Sequence, residues 1–150
     1  MHNLETPYHI FVECPVARLL WFLLSTWLQE PSLNPGCWQT CISVEEWFIS
    51  IGSTAAPASR KGLRSIIILT LWCIWRDRNQ RIFKPSIPPR SVFHLLAEIK
   101  EDCASWVRAD ARHLATIIPS PAPHAQLLVN WEYLLFFPLP KDALRAFGPH

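Results

Sequence analysis

RKGLRSIIILTLWCIWRDRNQRIF (residues 60–83), followed after KPSIPPR by SVFHLLAEIKEDCASWV (residues 91–107), decides the fold class of this 150-residue chain. The first stretch is apolar nearly all round for two-thirds of its length and charged in the last third (RDRNQR), which predicts one long helix, buried along its apolar part. Lys84 and Pro85 end it, because proline cannot continue the hydrogen-bond ladder and restricts the residue before it. In the second stretch Ser91 is placed to cap a helix. Behind it Val92, Leu95, Leu96, Ile99, Cys103, Trp106 and Val107 recur at helical spacing. Glu98, Lys100, Glu101, Asp102, Arg108 and Asp110 fill the other faces, so one side docks on the long helix, and the short Pro-rich link makes the two an antiparallel pair.

Outward from this pair, Pro15 suits the first turn of a helix, and Val16, Leu19, Leu20, Leu23, Leu24 and Trp27 carry that helix to about Leu28. Residues 29–36, with Pro31, Asn34, Pro35 and Gly36, read as a loop. Ser43 followed by Glu46 is a capping box ahead of Trp47, Phe48 and Ile51, and GSTAAPAS (52–59) reads as a flexible link. The expectation is an all-α fold, a small irregular bundle of about four helices over residues 1–114. A Pro- and aromatic-rich tail of low order, 115–150, follows it. Trp21, Trp72, Trp75 and Trp106 are expected on helix faces that form one core.

Composition bounds the function. Half of the residues are hydrophobic and 17% are charged, which excludes an intrinsically disordered chain. Fourteen Lys and Arg against twelve Asp and Glu leave a net charge of +2, too little to steer the chain strongly to nucleic acid or anionic membrane. Four glycines and no G-x-G-x-x-G or G-x-x-x-x-G-K remove the phosphate-cradling nucleotide folds. No H-E-x-x-H or G-x-S-x-G appears, Cys73 and Cys103 lie on apolar helix faces, and His94 has no mapped acidic partner, so a non-enzymatic protein is expected. Residues 1–4 have no basic start ahead of an apolar run, and the longest apolar run, 66–75, is half the length of a bilayer span; the expectation is an intracellular chain, nuclear or cytoplasmic, with no membrane contact. Five cysteines, Cys14, Cys37, Cys41, Cys73 and Cys103, fit reduced thiols better than a disulfide scaffold.

Two groups of residues carry candidate chemistry. His9 and Cys14, spaced H-x4-C, could supply half of a tetrahedral zinc site, and Cys37 and Cys41, spaced C-x3-C, are the pair able to complete it as Cys3His. The plain alternative is a loop histidine and ordinary thiols. Arg76, Arg78, Arg81 and Lys84, with Trp72 and Trp75 just before them, combine cations with stacking surface, the pairing that single-stranded nucleic acid favours. The alternative is that these cations simply stabilise the helix C-terminus.

The run Glu5-Thr-Pro-Tyr-His9-Ile-Phe-Val-Glu-Cys14-Pro, with Trp21 beyond it, resembles the end of the zinc-binding region downstream of the reverse transcriptase in plant LINE-type (non-LTR) retrotransposons. There the pattern is Glu-Thr, His-Leu-Phe, Cys-Pro, then Trp. Trp72-x2-Trp75-x2-Arg78-Asn79-x2-Ile82-Phe83 is similar to the family's later helix end, and the helix with Trp106 is like the segment that follows. The resemblance covers residues 5–114. It implies a zinc and nucleic-acid-binding region, of which only His9 and Cys14 map onto the metal ligands; the family's preceding Cys-x-x-Cys pair has no counterpart, so zinc as cofactor meets an incomplete site. Neither polymerase carboxylates nor a ribonuclease H are recognisable. The resemblance thus implies a retrotransposon-derived fragment, a relic without independent activity whose partner would be RNA or DNA, bound weakly through Trp75, Arg76, Arg78, Arg81 and Lys84. The reading from a different class is a small helical protein–protein interaction module, with self-association through exposed aromatics.

Overall fold

In the computed structural model, residues 5–119 are described, and every regular element among them is helical. α1 spans Pro15–Leu28, α2 Val44–Thr54, α3 Arg60–Phe83, α4 Val92–Arg108 and α5 Arg112–Ala115. Short 3-10 turns at Pro31–Leu33, Pro35–Cys37 and Pro57–Ser59 connect them, and a π-helical segment, His9–Glu13, precedes α1. The all-α expectation holds.

The local signals act as their chemistry requires. Pro15 opens α1, where its missing N–H costs nothing. The Ser43 hydroxyl accepts from the Glu46 N–H at 3.1 Å while the Glu46 carboxylate reaches back to the Ile42 N–H at 2.8 Å. The Ser91 hydroxyl accepts from the His94 N–H at 3.2 Å. Lys84 closes α3 by donating its N–H to the Gln80 carbonyl before Pro85 stops the ladder.

The core is a layer of aliphatic side chains from all the longer helices. Leu20 and Leu24 of α1, Leu63, Ile66 and Ile67 of α3, and Leu95 and Ile99 of α4 are buried, with Leu33 and Leu114 closing the ends. Each such side chain stabilises the fold by about 1.5–3 kcal/mol relative to exposure. Thr70, inside this layer, satisfies its hydroxyl by donating to the Ile66 carbonyl at 2.8 Å. Arg76 meets Glu98, and Arg90, just before α4, reaches Gln80, four residues further along α3, so the register falls along α3 as it rises along α4. That is the expected antiparallel pair.

Three expectations are corrected. The link at 52–59 is not open chain: α2 runs through Gly52 to Thr54, and Pro57–Ser59 is a 3-10 turn leading straight into α3. The long helix is not buried all round: Ile68 and Trp72 are 56% and 57% exposed, because α4 and α5 pack on the other sides and leave this stripe uncovered. The shared tryptophan core is differently composed. Trp21 is fully buried, but its ring neighbours are Trp47 at 5.1 Å and Trp38 at 6.3 Å, whereas Trp72, Trp75 and Trp106 lie at the surface. α5 seats Leu114 in the core and extends to Ala115. The expected tail lies, from residue 120 onward, outside the described residues.

Candidate functional site

The charged end of α3 is where the candidate residues meet. Successive residues turn about 100° around a helix axis, so Arg76, Gln80 and Lys84 share one face and Arg78 and Arg81 share another. The four cations expected as one patch are thus divided between two surfaces.

The first surface is a cleft between α3, the π-helical segment and the start of α1, lined by Glu5, His9, Cys14, Asp77, Arg78 and Arg81 over an apolar floor of Ile10, Ile74 and Leu95. Arg78 is held by the Glu5 carboxylate, with Nε at 3.1 Å, and this hydrogen bond and charge keep the Glu5 carboxyl below its ordinary value. Asp77 is buried at 4% exposure and is compensated by Arg81 at 3.0 Å and by Arg90 at 3.9 Å. A buried carboxylate without such partners would be expensive.

His9 and Cys14 border this cleft one π-turn apart, the Cys14 N–H donating to the His9 carbonyl at 2.7 Å. The His9 ring is half-exposed, with Nδ1 3.8 Å from Glu13. Cys37 is exposed at the end of its 3-10 turn, and Cys41 is buried beside Tyr8. Burial pushes the Cys41 thiol up, which disfavours the thiolate a metal needs. Among the described residues no three His, Cys, Asp or Glu side chains gather as metal ligands. The Cys3His arrangement is therefore not assembled there, and His9 with Cys14 alone does not fit the four ligands of structural zinc.

The second surface is a shallow groove lined by Trp72, Trp75, Arg76, Asn79, Gln80, Phe83 and Lys84. Trp72, Trp75 and Phe83 are 57%, 41% and 77% exposed. Phe11 steadies Trp75, their ring centroids 6.4 Å apart. Arg76 is paired with Glu98; Arg90, from the link before α4, donates to the other Glu98 oxygen at 2.7 Å and to the Gln80 side chain. Lys84 has no carboxylate within ion-pair distance among the described residues.

Trp75, Arg76 and Lys84, singled out in the sequence, thus stand together, and Arg78 and Arg81 do not join them. Phe83, Gln80, Arg90 and Glu98 were not among the expected site residues. Phe83 was detectable from its spacing with Trp72 and Trp75. Arg90 and Glu98 enter only because α4 folds back beside α3, which no local pattern announces. Elsewhere, Cys73 and Cys103 are buried, which pushes their thiols up to about 11 and about 12, and His94 is exposed. No helix among the described residues is long and apolar enough to cross a membrane. No family model matches the chain, and no curated protein or solved structure matches it either.

Proposed function

We propose that this chain is a non-catalytic helical binding module, derived from the C-terminal part of a LINE-type reverse-transcriptase zinc-binding region, that associates with single-stranded nucleic acid through the α3 groove. The observation that carries the reading is the company of Trp72, Trp75 and Phe83, exposed side by side with Arg76 and Lys84. Aromatic faces take stacked bases of any identity, and flanking cations take phosphates. Around this end of the bundle, five cations, Arg76, Arg78, Arg81, Lys84 and Arg90, stand against the three carboxylates Glu5, Asp77 and Glu98. The local surplus of two matches the whole chain's net charge of +2.

The test is fluorescence anisotropy with a labelled single-stranded oligonucleotide at low salt. Stacking contributes about 1–3 kcal/mol per base, so Trp72→Ala and Trp75→Ala should each weaken binding by at least about fivefold. Unchanged affinity in both variants rejects the reading.

One observation favours the protein-interaction reading: Arg76, Arg78 and Arg81 already have carboxylate partners, and Ile68 extends the aromatic stripe by a turn. Such a face also suits a partner helix. Light scattering separates the two, since a stable dimer without nucleic acid supports the second.

A further inference from the structure

Glu98 is placed unusually for a helix-surface carboxylate. Its two oxygens each receive a guanidinium, Arg76 from α3 and Arg90 from the link, and both arginines are only partly exposed, at 35% and 25%. Arg90 also bonds Gln80, a lining residue of the aromatic groove, while Arg76 and Lys84 are lining residues themselves. A carboxylate gripped by two guanidiniums occupies the position and charge that a phosphodiester takes between two arginines.

We infer that Arg76 and Arg90 form a phosphate-binding clamp at the edge of the groove and that Glu98 is its built-in occupant, displaced when a strand binds. This inference rests on the nucleic-acid reading of the groove and deepens it by adding Arg90 as a phosphate ligand and Glu98 as an internal competitor. Binding is then an exchange: the strand phosphate takes the two guanidiniums and the Glu98 carboxylate turns to water. Part of each phosphate contact is then offset by the lost ion pairs, so Glu98 lowers the affinity that the exposed tryptophans and guanidiniums would otherwise give. Asp77, 3.9 Å from Arg90 and already paired with Arg81, holds the clamp's second arm in place after Glu98 leaves.

The experiment uses the full chain with a fluorescein-labelled oligouridylate, titrated across a range of salt, for wild type, Glu98→Gln, Arg90→Gln and Trp72→Ala, each checked by circular dichroism and melting. Part-exposed ion pairs are modest, so Glu98→Gln should tighten binding by about three- to tenfold. Arg90→Gln should weaken binding and lower the slope of log affinity against log salt by about 0.7, one phosphate's share on a single strand. A purely structural role for Arg90 would leave that slope unmoved. If Glu98→Gln binds no tighter and Arg90→Gln keeps the slope, while Trp72→Ala still loses binding, the clamp is wrong and the groove reading stands. If the oligouridylate binds neither wild type nor Glu98→Gln, both are overturned. Should Glu98→Gln fold poorly, the slope measured on Arg90→Gln decides alone.

Discussion

Gly62→Ala should destabilise this protein although it replaces a helical glycine with the best helix former. Gly62 lies in the first turn of α3, and helix propensity by itself promises a gain of up to about 1 kcal/mol. α5, however, passes directly over it. A methyl at position 62 would press on the His113 carbonyl oxygen closer than van der Waals contact permits, with the His113 carbonyl carbon and Ile117 Cδ1 each 3.1 Å away. The obstruction is backbone and cannot rotate aside, so α5 must lift and Leu114 with it. Overpacking costs about 1–3 kcal/mol, and because the obstruction is backbone the cost here falls in the upper part of that range, about 2–3 kcal/mol, leaving a net loss of about 1–2 kcal/mol after the propensity gain of up to about 1 kcal/mol. In a unit of this size that lowers Tm by about 4–10 °C. Gly52→Ala is the internal control: it is also buried in a helix, but its nearest neighbours are the Arg64 Nε and Nη2 atoms at an ordinary 3.8 Å. It should gain about 0.5–1 kcal/mol. Paired thermal and urea melts followed by circular dichroism read both. A Gly62→Ala protein as stable as wild type would mean that α5 does not sit on α3.

Three further outcomes are expected. Trp21→Phe should cost about 1–3 kcal/mol more than Trp47→Phe, because the Trp21 Nε1–H donates to the Phe11 carbonyl at 2.8 Å whereas the buried Trp47 Nε1–H has no acceptor among the described residues; urea melts check it. At pH 8 a disulfide reagent should modify Cys37 quickly and Cys73 and Cys103 only on unfolding, and with thiols raised from 9.0 to about 11 and about 12, their contribution to stability holds below pH 9 and fades as pH rises through those values. The Glu5 carboxyl, lowered by Arg78, should titrate by NMR below 4.5 and return towards that value in Arg78→Gln; its contribution is complete above pH 4.5 and is lost as pH falls through the lowered midpoint.

Much of the scaffold follows from local signals. Pro15, Ser43 with Glu46, Ser91 and Pro85 each act within one helical turn, so their effect on α1, α2, α4 and the end of α3 is written in the neighbouring residues. The π-turn at His9 and the four-residue α5 escape such reading because neither repeats long enough to make a periodicity. Glycine in GSTAAPAS suggested a break, yet the packing of α2 on its neighbours carried the helix through it.

The sequence by itself determined where α1, α3 and α4 lie, where α2 begins and which residue types crowd the charged end of α3, because caps, prolines and apolar spacing are local and additive. Only the tertiary structure decided which tryptophans are core and which are surface, and which cations are free and which are held. Trp21, Trp38 and Trp47 come together from three different segments, and Glu98 reaches Arg76 across two helices. Burial and ion pairing depend on what covers a face, and a single helix does not carry that information about itself.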